Sequence, residues 1–256
     1  MQFGVCGGPD LARIAKEEGY DYFEWSVGGL LHPRESEDVF QAALAEARAV
    51  GLPCPAVNVF IPADLKITGP EVNRQALEAF AETALRRAEI AGVEVIVFGS
   101  GGARRIPDGF DAAQGWQQMV SFARWLGPAA EKHHVTIAIE HLNKTETNLI
   151  NTAEEAAELI REVNHPNIRL LVDGYHWAKD QNAASGIVNN ASLIVHAHIA
   201  TAEGRRTPRP EDPCTPFFDV LRKAGYNGRL SFEGSLQNPR EELAQAIQIM
   251  REQAAV

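Results

Sequence analysis

Short apolar runs rich in β-branched residues alternate along the chain with longer segments whose apolar residues recur every three or four positions. The short runs are typical of buried strands, and the longer segments are typical of amphipathic helices. Eight strands are predicted, over 3–8, 20–27, 55–62, 93–101, 135–143, 168–176, 193–200 and 228–235. Helices are predicted between them, most clearly over 36–50, 71–91, 112–133, 153–164 and 240–254.

The segment 71–91 shows the helical pattern most fully. Its apolar residues form one broad stripe, and Gly92 follows at the point where a helix is expected to end. The stripe consists of Val72, Leu77, Phe80, Ala84, Leu85, Ala88 and Ala91.

Alternation of strands and helices predicts parallel strands, because a parallel return needs a crossover connection. Eight such units in 256 residues match a single α/β (β/α)8 TIM barrel, a fold that commonly takes about 250 residues. The alternative is an open doubly wound sheet, but GGPDLA after the first strand does not match the Gly-rich phosphate loop of that fold. No linker interrupts the pattern, so we predict one barrel domain over 1–256, with its active site at the C-terminal ends of the strands.

Four successive predicted strands end in a side chain that can bind a metal: Glu140, Asp173, His198 and Glu233. They are separated by 33, 25 and 35 residues, about one strand–helix unit each. Because strand side chains alternate between faces, Glu140, His198 and Glu233 fall with the smaller or polar residues that face the barrel interior. For Asp173 the alternation is merely compatible with that face, and an N-cap of the next helix is an alternative role.

Three carboxylates and one imidazole form a mixed oxygen and nitrogen ligand set. Such a set suits Mn²⁺, Mg²⁺ or Co²⁺ and also admits Zn²⁺, which usually takes more nitrogen or sulfur. We predict one divalent metal ion per chain, with Mn²⁺ first among these. An octahedral ion with four protein ligands keeps two positions for adjacent oxygens, and a 2-keto-3-hydroxy sugar offers such a pair.

Charge and composition narrow the choice of partners. The formal net charge is −10 and basic residues cluster only in pairs, so a nucleic-acid partner is disfavoured. No run approaches the roughly 20 apolar residues of a membrane helix, and the N-terminus MQFGVCGGPD does not resemble a signal peptide. The three cysteines are odd in number and far apart, which favours free thiols. We expect a cytoplasmic protein with no membrane partner, and a homo-oligomer stays open.

Four stretches resemble the xylose isomerase-like barrel superfamily, and within it the ketose 3-epimerase group that includes D-tagatose and D-psicose 3-epimerases. They lie in the C-terminal half, in the same order and at similar spacing. The stretches are IEHLNKTETNLINT (139–152), LLVDGYHW (170–177), LIVHAHIA (193–200) with AEGRRTP after it, and FFDVLRKAGYNGRLSFEGS (217–235).

This resemblance implies that the four strand-end residues are metal ligands and that Glu140 and Glu233 are also the catalytic acid/base pair. It further implies that Glu146 and His176 bind the substrate. An arginine after the histidine motif is expected to bind sugar hydroxyls, and either Arg205 or Arg206 can take that role.

The predicted function is therefore a metal-dependent sugar isomerase or epimerase, first of all a ketose 3-epimerase that acts through an enediolate on a small-molecule sugar or polyol. Inversion requires a proton to leave one face of a carbon and return to the other, and Glu140 and Glu233 leave strands that lie apart on the barrel.

Other functions stay open from the sequence. A dehydratase of a keto-inositol or keto-polyol would share the enediolate and expel a hydroxyl, with His176 or Glu146 as the acid. Hydroxypyruvate-type aldose–ketose isomerases are a further alternative, although they commonly carry glutamine where His198 stands. An abasic-site endonuclease would need histidines on earlier strands, where Asn58 stands instead, and a non-catalytic sugar-binding protein would usually lack part of this set.

Overall fold

The computed structural model describes residues 1–255, and in it eight parallel strands close into a barrel in the order β1 to β8. The strands are β1 (Gln2–Cys6), β2 (Tyr22–Ser26), β3 (Ala56–Asn58), β4 (Val95–Phe98), β5 (Thr136–Glu140), β6 (Ile168–Asp173), β7 (Ile194–Ile199) and β8 (Arg229–Phe232). The predicted (β/α)8 barrel is confirmed. Val256, the last residue of the predicted domain, lies outside the described residues.

Helices fill the connections between successive strands. They are α1 (Pro9–Glu17), α2 (Val27–Leu30), α3 (Glu37–Val50), α4 (Arg74–Ala91), α5 (Gly101–Arg104), α6 (Ala112–Lys132), α7 (Ala153–Val163), α8 (Gly174–Lys179), α9 (Ala184–Val188), α10 (Thr215–Lys223) and α11 (Pro239–Ala255). A short 3₁₀ turn, Ala191–Leu193, leads into β7. The five helices that the apolar pattern predicts are all present, with ends that differ by three residues or fewer.

Helix α4 illustrates why the sequence folds as it does. The side chain of Asn73 caps its first turn by accepting a hydrogen bond from the backbone of Ala76. This cap starts the helix three residues later than the predicted 71. Gly92 ends it with φ of 76°, a left-handed conformation that glycine adopts without strain.

Apolar residues pack on both sides of the strands. A small cluster fills the inside of the barrel and includes Ala138 and Leu171, which share a strand face with Glu140 and Asp173. A larger cluster lies between the strands and the helices and includes Ile139 and Val172, which point the opposite way. The alternation of faces predicted for these strands is thus confirmed.

All eight strands end earlier than predicted, and the early ends of β3 and β6 have clear local causes. Strand β3 stops at Asn58 rather than continuing to 62, because Val59 takes a left-handed φ of 54° that breaks the strand conformation. Strand β6 stops at Asp173, and the predicted last residues of that strand form the first turn of α8. Both breaks occur where the strands open onto the same end of the barrel.

Within residues 1–255, none of the helices has the length and apolar character needed to cross a membrane. Cys6, Cys54 and Cys214 are free cysteines.

Candidate active site

The four side chains predicted as metal ligands meet at the C-terminal end of the barrel. Glu140 and Asp173 are the last residues of β5 and β6, His198 is the penultimate residue of β7, and Glu233 directly follows β8. Each offers one ligand atom, and these atoms all lie within 4.8 Å of one another. The pairing of Asp173 with His198 in the β6–β7 register brings two of them to the same level.

Buried atoms that can bind a metal, and that have no hydrogen-bond partner, point into this cluster. Glu140 Oε1, Asp173 Oδ2 and His198 Nδ1 have no partner within the described part of the chain. His198 Nδ1 lies 3.4 Å from Glu140 Oε1 and 3.4 Å from Glu233 Oε2. Because unpaired buried polar atoms are costly and rare, a group of them around one point indicates a site for a ligand. Three carboxylates and one imidazole fit a hard divalent cation.

Asp173 has a second role as a helix cap. Its Oδ1 accepts hydrogen bonds from the backbone of Tyr175 at 2.6 Å and of His176 at 3.1 Å, at the start of α8. The predicted alternative, an N-cap, is therefore confirmed, and it leaves Oδ2 directed at the cluster. One carboxylate can serve both roles because each uses a different oxygen.

Glu233 is held in position by two neighbours. Asn58, at the end of β3, donates a hydrogen bond from Nδ2 to Oε1 over 2.9 Å. Arg205 forms an ion pair with Oε2 and also contacts the backbone carbonyl of Glu233. The motifs at the strand ends do not identify Asn58 as a site residue; the available signal is a polar side chain at the end of β3.

The charges in the cluster act strongly on one another. Burial raises the pKa of Glu140, and the nearby negative charge of Glu233 raises it further. Burial also acts to raise the pKa of Glu233, but His198 and Arg205 outweigh it, so this pKa is lowered. Burial acts to lower the pKa of His198, yet the negative charges of Glu24 and Glu233 outweigh it and raise this pKa well above its usual value. The cluster therefore favours positive charge at its centre, as a cation site requires.

The residues that the resemblance assigns to the substrate take different places. His176 lies buried on α8, with its Nε2 3.8 Å from Asp173 Oδ2. Glu146 lies on the loop after β5, where it accepts a hydrogen bond from Asn143 over 2.9 Å. Both side chains border the cluster.

The structure separates the two candidate arginines. Arg205 reaches Glu233 and lies 3.8 Å from Glu146, with its guanidinium over the ring of Tyr175. Arg206 turns away from the cluster and binds Glu242 of α11 through two hydrogen bonds of 3.0 and 2.9 Å. Only Arg205 lies at the site.

A cavity of about 260 Å³ opens over the cluster. Its polar walls include Glu140, Glu146, His176, Arg205 and Glu233, and its other walls come from the ends of β3 and β4. Both candidate acid/base glutamates thus face the same cavity, whose size suits a small molecule.

Comparison with known proteins agrees with this geometry. Residues 12–253 match the model of the xylose isomerase-like TIM barrel family. A D-psicose 3-epimerase from Ruminiclostridium cellulolyticum is 29% identical over 119 residues, which span 46% of this chain and 41% of that relative. An L-ribulose 3-epimerase from Methylomonas sp. is 26% identical over 239 residues, 90% of this chain and 79% of the relative.

Among solved structures, D-psicose 3-epimerase with D-tagatose from Clostridium cellulolyticum H10 is similar to this chain. The TM-score is 0.78 at 21% identity, over 99% of this chain and 96% of the other, which shows a shared fold. Two sequence relatives named as epimerases support an isomerase as the enzyme class. From the family match over almost its whole length, the chain belongs to the xylose isomerase-like TIM barrel family.

Proposed function

We propose that the protein is a divalent-metal-dependent ketose 3-epimerase that inverts a carbon next to a carbonyl through an enediolate. The observation that carries the proposal is the placement of Glu140 and Glu233. They leave strands three apart in the eight-stranded barrel, face one cavity, and each approach His198 Nδ1 to 3.4 Å.

Glu140, Asp173, His198 and Glu233 would hold the metal ion. Their unpartnered buried atoms and their hard donor chemistry support this assignment. When bound, a divalent ion supplies electrostatic stabilisation of the negative charge that develops on the substrate oxygens as a proton leaves the neighbouring carbon.

The two glutamates would move the proton. In one direction the carboxylate of Glu233 takes the proton of the substrate carbon, and the carboxyl group of Glu140 returns one to the opposite face. The reverse reaction exchanges their roles. Asn58 and Arg205 fix the position of the Glu233 carboxylate, which keeps its oxygens directed at the cavity.

The remaining wall residues would orient the sugar. His176 and Arg205 supply hydrogen-bond donors, and Glu146 supplies an acceptor, so together they match a substrate rich in hydroxyl groups. The related epimerases described above are named for the ketoses D-psicose and L-ribulose. These names support a small ketose as the substrate class.

A dehydratase of a keto-polyol is the second candidate, because His176 and Glu146 lie side by side on the cavity wall. His176 Nδ1 is 3.9 Å from Glu146 Oε1. Either could protonate a departing hydroxyl. An aldose–ketose isomerase would use only one of the two glutamates as the base.

A metal and turnover experiment tests the proposal. The purified protein is expected to bind about one divalent ion per chain, to lose turnover of free ketohexoses and ketopentoses after EDTA treatment, and to regain it with Mn²⁺. Full activity in a protein that elemental analysis shows to be metal-free would contradict it. Turnover of keto-inositols with loss of water, and none of ketoses, would favour the dehydratase.

A further inference from the structure

A second layer of buried polar side chains lies directly beneath the candidate metal ligands. Its centre is Glu24 on β2, which is fully buried. Glu24 Oε1 lies 2.9 Å from His198 Nε2, and Glu24 Oε2 lies 2.7 Å from His196 Nε2. Ser231 of β8 donates a further hydrogen bond to Oε2 over 2.7 Å. One carboxylate thus joins two histidines of β7 across the inside of the barrel.

We infer that Glu24 is a positioning residue that fixes the ring orientation and the tautomer of His198 for metal binding. The inference rests on the metal site of the proposed function. An ionised carboxylate only accepts hydrogen bonds, so the nitrogen of His198 that faces it, Nε2, carries the proton. A metal-bound imidazole is neutral and has one N–H. Its other nitrogen, Nδ1, therefore presents a lone pair to the space between Glu140 and Glu233.

Glu24 could instead act as a ligand itself, because Cys6, Glu24 and His198 also bring potential ligand atoms together. The hydrogen bonds argue against that role. Both oxygens of Glu24 already have partners, whereas the ligand atoms of the upper cluster include three with none. Cys6 Sγ lies 3.9 Å from His198 Nε2, the same nitrogen that donates to Glu24. Glu24 is therefore a partner of the ligand rather than a ligand.

The layer is itself held rigidly. Tyr22, two residues before Glu24 and on the same strand face, hydrogen bonds to Ser231 over 2.8 Å, and Ser231 is fully buried. Because Ser231 also donates to Glu24, the carboxylate cannot move away from His198 without breaking that hydrogen bond. A hydrogen-bond partner that is fixed in this way holds the side chain of a metal ligand in one orientation.

The test compares Mn²⁺ affinity in the wild-type protein, Glu24→Gln and the control Arg206→Ala, by titration calorimetry or chelator competition. Glutamine has one acceptor oxygen and no negative charge, so the N–H of His198 loses its charged acceptor in either orientation of the amide. We expect about 10- to 100-fold weaker Mn²⁺ binding in Glu24→Gln. Arg206→Ala removes a side chain that binds Glu242 and turns away from the cluster, so its affinity should stay close to that of the wild type.

A second measurement does not depend on how well the variant folds. Nitrogen-15 NMR of the wild-type protein loaded with diamagnetic Zn²⁺ is expected to show His198 protonated at Nε2 and bound through Nδ1. Coordination through Nε2, or unchanged affinity in a folded Glu24→Gln variant, would overturn the inference and leave the proposed function standing. If the wild-type protein binds no divalent ion, the proposed function itself fails.

Discussion

Nδ1 of His176 lies 2.8 Å from the side-chain Nδ2 of Asn143 and 3.2 Å from the backbone nitrogen of Asn143. The backbone nitrogen is a donor, so Nδ1 of His176 accepts and the ring proton resides on Nε2. That Nε2 is buried without a hydrogen-bond partner in residues 1–255 and borders the cavity. Asn143 therefore makes Nε2 of His176 a hydrogen-bond donor toward the cavity.

Replacement of His176 tests this donor. His176→Leu removes the N–H at similar bulk and is expected to lower kcat/KM about 5- to 150-fold, which corresponds to about 1–3 kcal/mol for leaving the hydrogen-bond partner of a buried group unsatisfied. His176→Gln keeps an N–H donor and should recover part of the loss. Steady-state kinetics on the best ketose checks both variants, and wild-type kcat/KM in His176→Leu would rule the role out.

The two glutamates are expected to be separately indispensable for inversion. Glu140→Gln and Glu233→Gln each keep an oxygen donor but cannot carry the proton, and each should lower kcat by at least about 10²–10⁴-fold. Circular dichroism should show an unchanged fold. If one variant keeps full kcat, a mechanism with a single base replaces the proposed pair.

The neighbouring arginines form a matched pair for mutagenesis. Arg205→Ala removes the ion pair with Glu233 and the contact with Glu146, so both KM and kcat should worsen. Arg206→Ala removes only the link to Glu242 and should change kcat/KM little. Steady-state kinetics of the two variants decides the matter, because the reverse order of effects would place Arg206 at the substrate.

The buried His141, directly after β5, should make the stability of the protein depend on pH. Burial lowers its pKa to about 3, while in the unfolded chain it titrates near 6.5. As the pH falls from about 6.5 toward 3, the unfolded state takes up a proton that the native state does not, so the unfolding free energy decreases, by at most about 1.4 kcal/mol per pH unit from this group. Denaturant unfolding of EDTA-treated protein at pH 7 and pH 5 measures the slope.

In His141→Gln this part of the slope should disappear. The exposed His134, on the turn after α6, offers a control, and His134→Gln should keep the wild-type slope. An equal slope in all three proteins would mean that other groups determine the loss of stability in acid.

Much of the fold and of the candidate site follows from local sequence patterns. The alternation of strands and helices predicts the barrel, and polar residues at four successive strand ends predict that Glu140, Asp173, His198 and Glu233 come together. These inferences succeed because strand period and strand order place residues without knowledge of distant contacts.

Contacts across the barrel could not be predicted in this way. Glu24 and His198 are 174 residues apart, and only the closure and register of the barrel bring them to 2.9 Å. Arg205 and Arg206 are neighbours in an irregular loop. No periodic pattern there predicts which of the two side chains faces the site. The early end of β3 depends on the left-handed backbone of Val59, a conformation that a β-branched residue rarely adopts.

Proton exchange in D₂O decides whether the protein inverts C3 of a ketose. The Mn²⁺-loaded protein is incubated in D₂O with a panel of free ketoses and keto-inositols, and the products are analysed by NMR. We expect deuterium at C3 of a ketose together with the appearance of its C3 epimer, and neither in Glu140→Gln or Glu233→Gln. Absence of exchange at C3 in every ketose of the panel, with metal bound, would contradict it.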